Sequence, residues 1–268
     1  MWHIPRWLAL GIVALIPAGG PMLAQSRPSA LAKAWQNPIG SVIDFPFDNS
    51  FGFGQDTGQR SIYTLDVRSV VPIQLRDGMR IVPRLVFPIQ EVPFTNGSHF
   101  DLGDTRLEVL YAGGAAAAQD GYSLGVGPSF GFPTATNGAL SSGKWEAGLA
   151  LTQVVSEGPW VVGAQLTQRW SYAGPASRRA TAPFIGEPFI YYNFEEGWSL
   201  LSAPEIQADW LAAPNDGWTL PLGGGLAKTF GDHTQGFTAS IAAYANTKRA
   251  AGAASWTLHA RLSLLYPR

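Results

Sequence analysis

Residues 61–75 read SIYTLDVRSVVPIQL, and their odd and even positions differ in chemistry. Tyr63, Leu65, Val67, Val71 and Ile73 are apolar, whereas Thr64, Asp66 and Arg68 between them are polar or charged. Residues 105–111 repeat the pattern, setting Leu107, Val109 and Tyr111 against Arg106 and Glu108. Side chains on a strand alternate faces, so each segment has one oily face and one that carries ions. A soluble sheet turns the oily face to a core and the charges to water. A membrane barrel turns the oily face to lipid and the charges to its lumen.

Composition favours the barrel. Charged residues make up 14% of the chain, against roughly 25% in soluble domains. Glycine, at 31 of 268 residues, exceeds the usual ~7%. The net charge of −1 offers no basic field for nucleic acid. With no cysteine there are neither disulfides nor thiolate metal sites.

At the N-terminus, Arg6 (with His3) precedes the apolar run 7–16, and Pro17, Gly19, Gly20 and Pro21 break it ahead of Ala24-Gln25. This reads as a secretory signal peptide over 1–24, too short for an anchor, with cleavage after Ala24 or alternatively Gly20. Beyond it no stretch of about 18 apolar residues reads as a transmembrane helix. Residues 25–38 form an N-terminal periplasmic or lumenal segment, and 39–268 the barrel. Within that segment, residues 28–36 (PSALAKAWQ) predict two turns of helix, with Pro28 early and Asn37-Pro38 as the stop. Leu31 and Trp35 share one face of it, so it is a candidate plug.

From Ile39 onward the period is that of strands. Twelve are expected, over 41–51, 61–75, 79–90, 104–112, 121–132, 144–156, 159–172, 182–194, 198–211, 217–230, 235–247 and 254–266. Each exceeds the ~9–11 residues that a tilted strand needs to cross a bilayer. The connections alternate between longer and shorter, as in an up-and-down barrel with short periplasmic turns and long outer loops. Tyr111, Tyr122, Trp160, Phe194, Trp198, Phe230 and Phe237 lie near the shorter turns; Trp145, Trp170, Tyr172, Trp210, Trp218 and Trp256 lie near the longer loops. Amphipathic rings at two levels are what membrane interfaces select. Pro72, Pro83, Pro88, Pro128, Pro188, Pro204 and Pro221 fall within or beside strands, where bulges are expected. The fold class is therefore all-β: a transmembrane antiparallel up-and-down barrel of about twelve strands behind a cleaved signal peptide.

Chemistry-bearing motifs are sparse. Gly138 to Lys144 has phosphate-loop spacing, but Trp145 and a strand follow where Ser or Thr and a helix are required. Gly223-Gly224-Gly225 lies within a strand and serves bending or close packing. Asp232-His233 reads as turn chemistry rather than as a metal site, and His259 lies two residues from Arg261 without a nucleophile motif. No catalytic, cofactor or metal site is expected, and the chain reads as a non-enzyme. Strand parity instead assigns an inward set: Asp66, Arg68, Arg80, Arg84, Arg106, Glu108, Glu146, Arg169, Glu187, Glu205, Asp209, His259 and Arg261. Confined ions of both signs must pair or hydrate, and such rings tune pore selectivity.

Several local words carry a family resemblance. They are Asn37-Pro38-Ile39, Phe45-Pro46-Phe47, Leu102-Gly103-Asp104, Gly127-Pro128 with Phe132-Pro133-Thr134-Ala135-Thr136, and Ser142-Gly143-Lys144-Trp145. To these are added Gly158-Pro159-Trp160-Val161-Val162-Gly163, Pro188-Phe189 with Tyr192-Asn193, Gly197-Trp198, and Pro221-Leu222-Gly223-Gly224-Gly225. From about Ala30 to the C-terminus, the chain resembles the bacterial outer-membrane proteins grouped with the phenol-degradation (meta-pathway) family. Members of that family are often labelled transporters or, misleadingly, neuromedin U. The resemblance implies a Gram-negative outer-membrane barrel that passes small molecules, aromatic ones included. It supplies no catalytic residues.

The expected function is that of a passive outer-membrane channel, exported through its signal peptide. Its partners would be outer-membrane lipid, a small-molecule solute and, during insertion, the barrel-assembly machinery. The loops at 91–103 and 133–143 would gate the outer mouth. The rival readings are a structural or adhesive barrel with a plugged lumen and an outer-membrane hydrolase.

Overall fold

The computed structural model describes residues 27–54, 61–94, 97–114, 120–213, 216–231, 234–250 and 252–267. The expected signal peptide and the turn expected at Asp232-His233 lie outside the described residues. A short helix, α1 (Arg27–Trp35), precedes β1 (Ile43–Phe53), β2 (Ile62–Val70), β3 (Ile73–Gln74), β4 (Arg80–Phe94) and β5 (Gly97–Leu102). Then come β6 (Thr105–Gly114), β7 (Gly121–Phe132), β8 (Trp145–Glu157), β9 (Trp160–Ala173) and β10 (Pro183–Asn193). The chain ends with β11 (Trp198–Ser202), β12 (Ile206–Asp209), β13 (Trp218–Gly231), β14 (Gly236–Lys248) and β15 (Trp256–Tyr266).

Each wall strand pairs antiparallel with its neighbours in sequence, and β1 pairs β15 from Ile43↔Tyr266 to Phe53↔Trp256, which closes the ring. β3 and β5 are side branches of β4, and β11 with β12 is one interrupted stave, so the barrel has twelve staves. Closure leaves no edge, the condition for a sheet to stand in hydrocarbon, where nothing else can satisfy backbone N–H and C=O groups.

Three expectations of strand extent are corrected, two of them by proline. Pro72 separates β2 from β3, splitting the expected strand over 61–75, and Ala203-Pro204-Glu205 separates β11 from β12 within the expected 198–211. Proline cannot donate to a ladder, so it interrupts a strand that must bond on both sides. β10 pairs β12 through Pro183–Gly186 and β11 through Ile190–Asn193, leaving 187–189 outside either ladder, and the β13–β14 register shifts at Leu220/Pro221. The third correction concerns the expected loop at 91–103, which continues the sheet: β4 runs on to Phe94 and turns back as β5, from Phe94↔Gly97 to Ile89↔Leu102. The tight turn at 76–78 rests on successive left-handed residues, Asp77 and Gly78, with φ of 63° and 74°.

Burial separates the two faces. Outward residues include Leu149, Leu222 and Ile241, exposed by 62%, 68% and 54%. Inward neighbours on the same strands are small or polar: Ala150 and Thr152 on β8, Thr229 on β13, and Thr238 and Ala242 on β14, all buried. An oily exterior around a hydroxyl- and ion-rich interior inverts the soluble plan and matches a barrel in lipid. Tyr111, Tyr122, Trp198, Phe230 and Phe237 are exposed near the short turns, and Trp145, Trp170, Tyr172, Trp210 and Trp256 near the long loops. Two aromatic belts result.

Replacing Leu149 with arginine should lower unfolding stability in lipid vesicles by about 2–4 kcal/mol, the cost of a cation at the bilayer midplane. Urea titration of the vesicle-inserted barrel checks this, and an unchanged midpoint would mean that Leu149 does not face hydrocarbon.

Candidate functional site

The interior has three levels. At the short-turn end, α1 and residues 36–42 fill the bore. Leu31, Trp35, Ile39 and Val42 are buried in one cluster with Leu110, Ala112, Val154, Tyr191 and Leu265 of the wall. The Trp35 and Tyr191 rings meet edge to face at 5.8 Å. The wall is cut to receive the segment: a Cβ on Gly197 would lie 2.9 Å from Pro28 Cβ, and one on Gly125 3.3 Å from Ile39. Polar groups are matched as well. Lys33 Nζ donates to Asp120 Oδ1 at 2.6 Å and to Gly158 O at 2.9 Å, tying the helix to two short turns. Gln36 and Asn193 exchange reciprocal amide hydrogen bonds at 2.8 Å, and Trp35 Nε1 donates to Ser263 Oγ at 3.2 Å.

The middle level is ionic. Arg68 on β2 lies with Nε 3.0 Å from Asp48 Oδ2, Nη2 3.1 Å from Asp66, Nη1 3.3 Å from Glu187 and Nη2 3.6 Å from Glu205. In the strand order β2 and β10 stand on opposite sides of the ring, so Arg68–Glu187 spans the bore. Arg261 bonds the other Asp48 oxygen. Arg84 reaches Glu108 at 3.1 Å and Glu187 at 3.9 Å, and Arg106 reaches Asp66 at 3.5 Å. Thr167 Oγ1 donates to Glu108 Oε1 at 2.6 Å. A satellite pair, Arg169–Glu146 at 3.2 Å, is completed by Thr181 Oγ1 donating to Glu146 Oε1 at 2.7 Å. Such charges are tolerable in a confined bore because each meets a partner of opposite sign or a hydroxyl.

Above this layer, toward the long loops, lies a cavity of about 460 Å³ bordered by Asp48, Asp66, Arg68, Arg106, Glu187, Glu205, Tyr244, His259 and Arg261. A smaller one of about 90 Å³ lies between the ions and the plug, walled by Trp35, Val70, Phe189 and Tyr191 with Arg84 and Asp44. His259 takes part as a neighbour of Thr257 Oγ1 at 3.2 Å and of the Tyr244 ring. The loop at 133–143 folds over the mouth. Asp104 holds it, accepting from Ser141 Oγ at 2.9 Å and Ser142 N at 2.8 Å, and Leu140 borders the larger cavity.

Of the residues singled out by parity, Asp66, Arg68, Arg84, Arg106, Glu108, Glu187, Glu205, His259 and Arg261 gather in this layer and its cavity, with Glu146 and Arg169 beside it. Arg80 is buried further toward the short-turn rim, opposite Ala112. Asp209 sits at the outer rim, accepting from Arg179 Nη2 at 2.5 Å and from the backbone of Ala182 and Leu211. Parity applied to 41–51 would also have found Asp48, the shared partner of Arg68 and Arg261, and Asp44. Both alternate there with Phe45 and Phe47.

The barrel superposes on an outer membrane channel from Pseudomonas putida F1 with a TM-score of 0.62 at 15% sequence identity, over 85% of this chain and 96% of that one. The β domain of the Bordetella autotransporter BrkA aligns with a TM-score of 0.40 at 13% identity, over 84% and 100% of the two chains. No protein-family model and no curated protein matches the sequence. The fold is that of an outer-membrane β-barrel.

Replacing Asp48 with asparagine should destabilise the barrel by about 1–3 kcal/mol, less than for a fully enclosed pair because Arg261 borders the larger cavity. Adding Arg261→Gln should recover part of that loss; strict additivity in a double-mutant cycle would show that the two do not interact. The plug has a pH signature. Burial alone would raise the Asp120 carboxyl, but the Lys33 hydrogen bond, the Gly158 N–H and the Lys33 charge outweigh it and hold the group below its usual range. A lowered folded value stabilises docking above the ordinary carboxylate pKa, and this is lost as pH falls through the folded value. A spin label at Ala30→Cys should therefore stay immobile from neutral pH down to about pH 4 and gain mobility below it. Asp120→Asn should remove that step.

Proposed function

We propose that the chain is a passive outer-membrane channel whose periplasmic end is closed by its own N-terminal segment. The single observation that supports this best is the 460 Å³ cavity bordered by both signs of charge at the long-loop end. The fold likeness to a protein described as an outer membrane channel agrees with it. The proposed solutes are small molecules, aromatic acids among them. Arg106 and Arg261 would take a carboxylate, while Tyr244, Pro221 and Ala203 offer a flat uncharged wall for a ring. Grouping with the phenol meta-pathway proteins is part of the same proposal and rests on the sequence words quoted above. Solute would move down its gradient.

In this reading the docked segment leaves the bore when the channel opens; its rim contact is the pair of Lys33 with the half-exposed Asp120. The bore-spanning Arg68–Glu187 pair and the buried plug favour one second reading, a structural barrel that never conducts.

Planar-bilayer recording of the refolded protein separates the two. A channel should give small, intermittent conductance that rises severalfold when residues 29–36 are deleted, and liposome swelling should distinguish aromatic acids from neutral sugars of similar size. If both the intact and the deleted protein are silent in both assays, the structural reading stands.

A further inference from the structure

On the long-loop rim three exposed rings, Trp145 on β8 with Trp170 and Tyr172 on β9, lie on adjacent staves near the same rim, Trp170 opposite Ala147 and Trp145 opposite Ala173. Lys144 immediately precedes Trp145, and Arg178 lies in the connection that follows β9. Lys144 Nζ donates to Pro175 O at 2.8 Å and Arg178 Nη2 to Gly138 O at 2.8 Å, neutral acceptors that fix both head groups without cancelling their charge. Among the described residues neither cation meets a carboxylate; the third cation there, Arg179, is neutralised by Asp209. The stems are seated by two glycines. A Cβ on Gly143 would lie 2.9 Å from Arg178 Cγ, and one on Gly174 3.0 Å from Lys144 Cδ.

Two held cations on the same rim as these aromatic rings, at the level where the outer belt meets head groups, complement an anionic head on an acyl body. We propose that this patch binds the phosphorylated glycolipid of the outer leaflet, its phosphate between Lys144 and Arg178 and its chains against Trp145, Trp170 and Tyr172. Charge-assisted bonds from a guanidinium and an ammonium are the strong class of phosphate contact. The inference rests on the long-loop rim facing the outer leaflet, not on conduction.

The test titrates the refolded full-length barrel in nonionic micelles with bisphosphorylated lipid A, followed by native mass spectrometry. Lys144→Gln with Arg178→Gln should weaken binding by about tenfold or more, while Lys248→Gln with Arg249→Gln on the opposite side of the rim should leave it unchanged. The wild type should also lose affinity for dephosphorylated lipid A and at high salt, which needs no variant to fold. Equal binding of phosphorylated and dephosphorylated lipid, or no loss in the first pair of variants when they fold, would overturn the proposal. So would displacement by inorganic phosphate at the concentration at which lipid A binds. Because binding is read in micelles, a silent channel would not affect the outcome.

Discussion

Hydrocarbon offers no hydrogen-bond partner, so each backbone N–H and C=O within it must find one in the chain. That constraint explains the β1–β15 seam, since an open sheet would leave two bare edges in lipid. It also decides where charge can go. Once the ring closes, the period-two alternation that puts Leu149 and Leu151 outside puts Glu146 and Thr152 inside. An interior in which buried polar residues nearly equal apolar ones in number is not held by a hydrophobic core alone. It is held instead by paired ions, hydroxyl ladders such as Thr229–Thr238, and the inserted N-terminal segment.

The two ends of the bore are packed by different physics. Around α1 the contacts are apolar and close, with Trp35, Ile39, Leu110 and Tyr191 enclosing one another. Around Arg68 they are ionic and bordered by an open cavity. Apolar packing gives the plug its place, and its latch joins the buried Lys33 ammonium to a half-exposed Asp120 carboxylate on the rim. The central ions are different: Arg68 has four acids within reach, and one of them, Asp48, also holds Arg261. The middle of the bore is thus held by ions and its short-turn end by the inserted segment, which in the proposed reading is what closes the channel.

Much of this was legible in the sequence because one physical rule, alternation across a sheet, acts locally and repeatedly. Segments such as 121–132 and 144–156 declared their strands through it. Prolines blurred it: Pro72 and Pro204 broke runs whose flanking residues still alternate, and the hairpin of β4 and β5 looked like a polar loop because the sequence there carries Thr95, Asn96 and Gly97. Asp44 and Asp48 obeyed the rule, but Pro46 and Asn49 diluted the pattern around them. What no local rule carries is the contact across the bore. That Arg68 meets Glu187 depends on stave number and stagger, properties of the closed ring. That Lys33 meets Asp120 depends on where the helix comes to rest.

Which solvent meets the oily face is the claim on which the account turns, and the chain is well suited to a direct measurement because it contains no cysteine. Single cysteines placed along β8 at Leu149, Ala150, Leu151 and Thr152 can each carry a spin label in the vesicle-inserted protein. The account predicts frequent collisions with lipid-soluble oxygen at Leu149 and Leu151 and few at Ala150 and Thr152, a strict period of two. Collision at Leu149 and Leu151 with a water-soluble nickel chelate in preference to oxygen would contradict it.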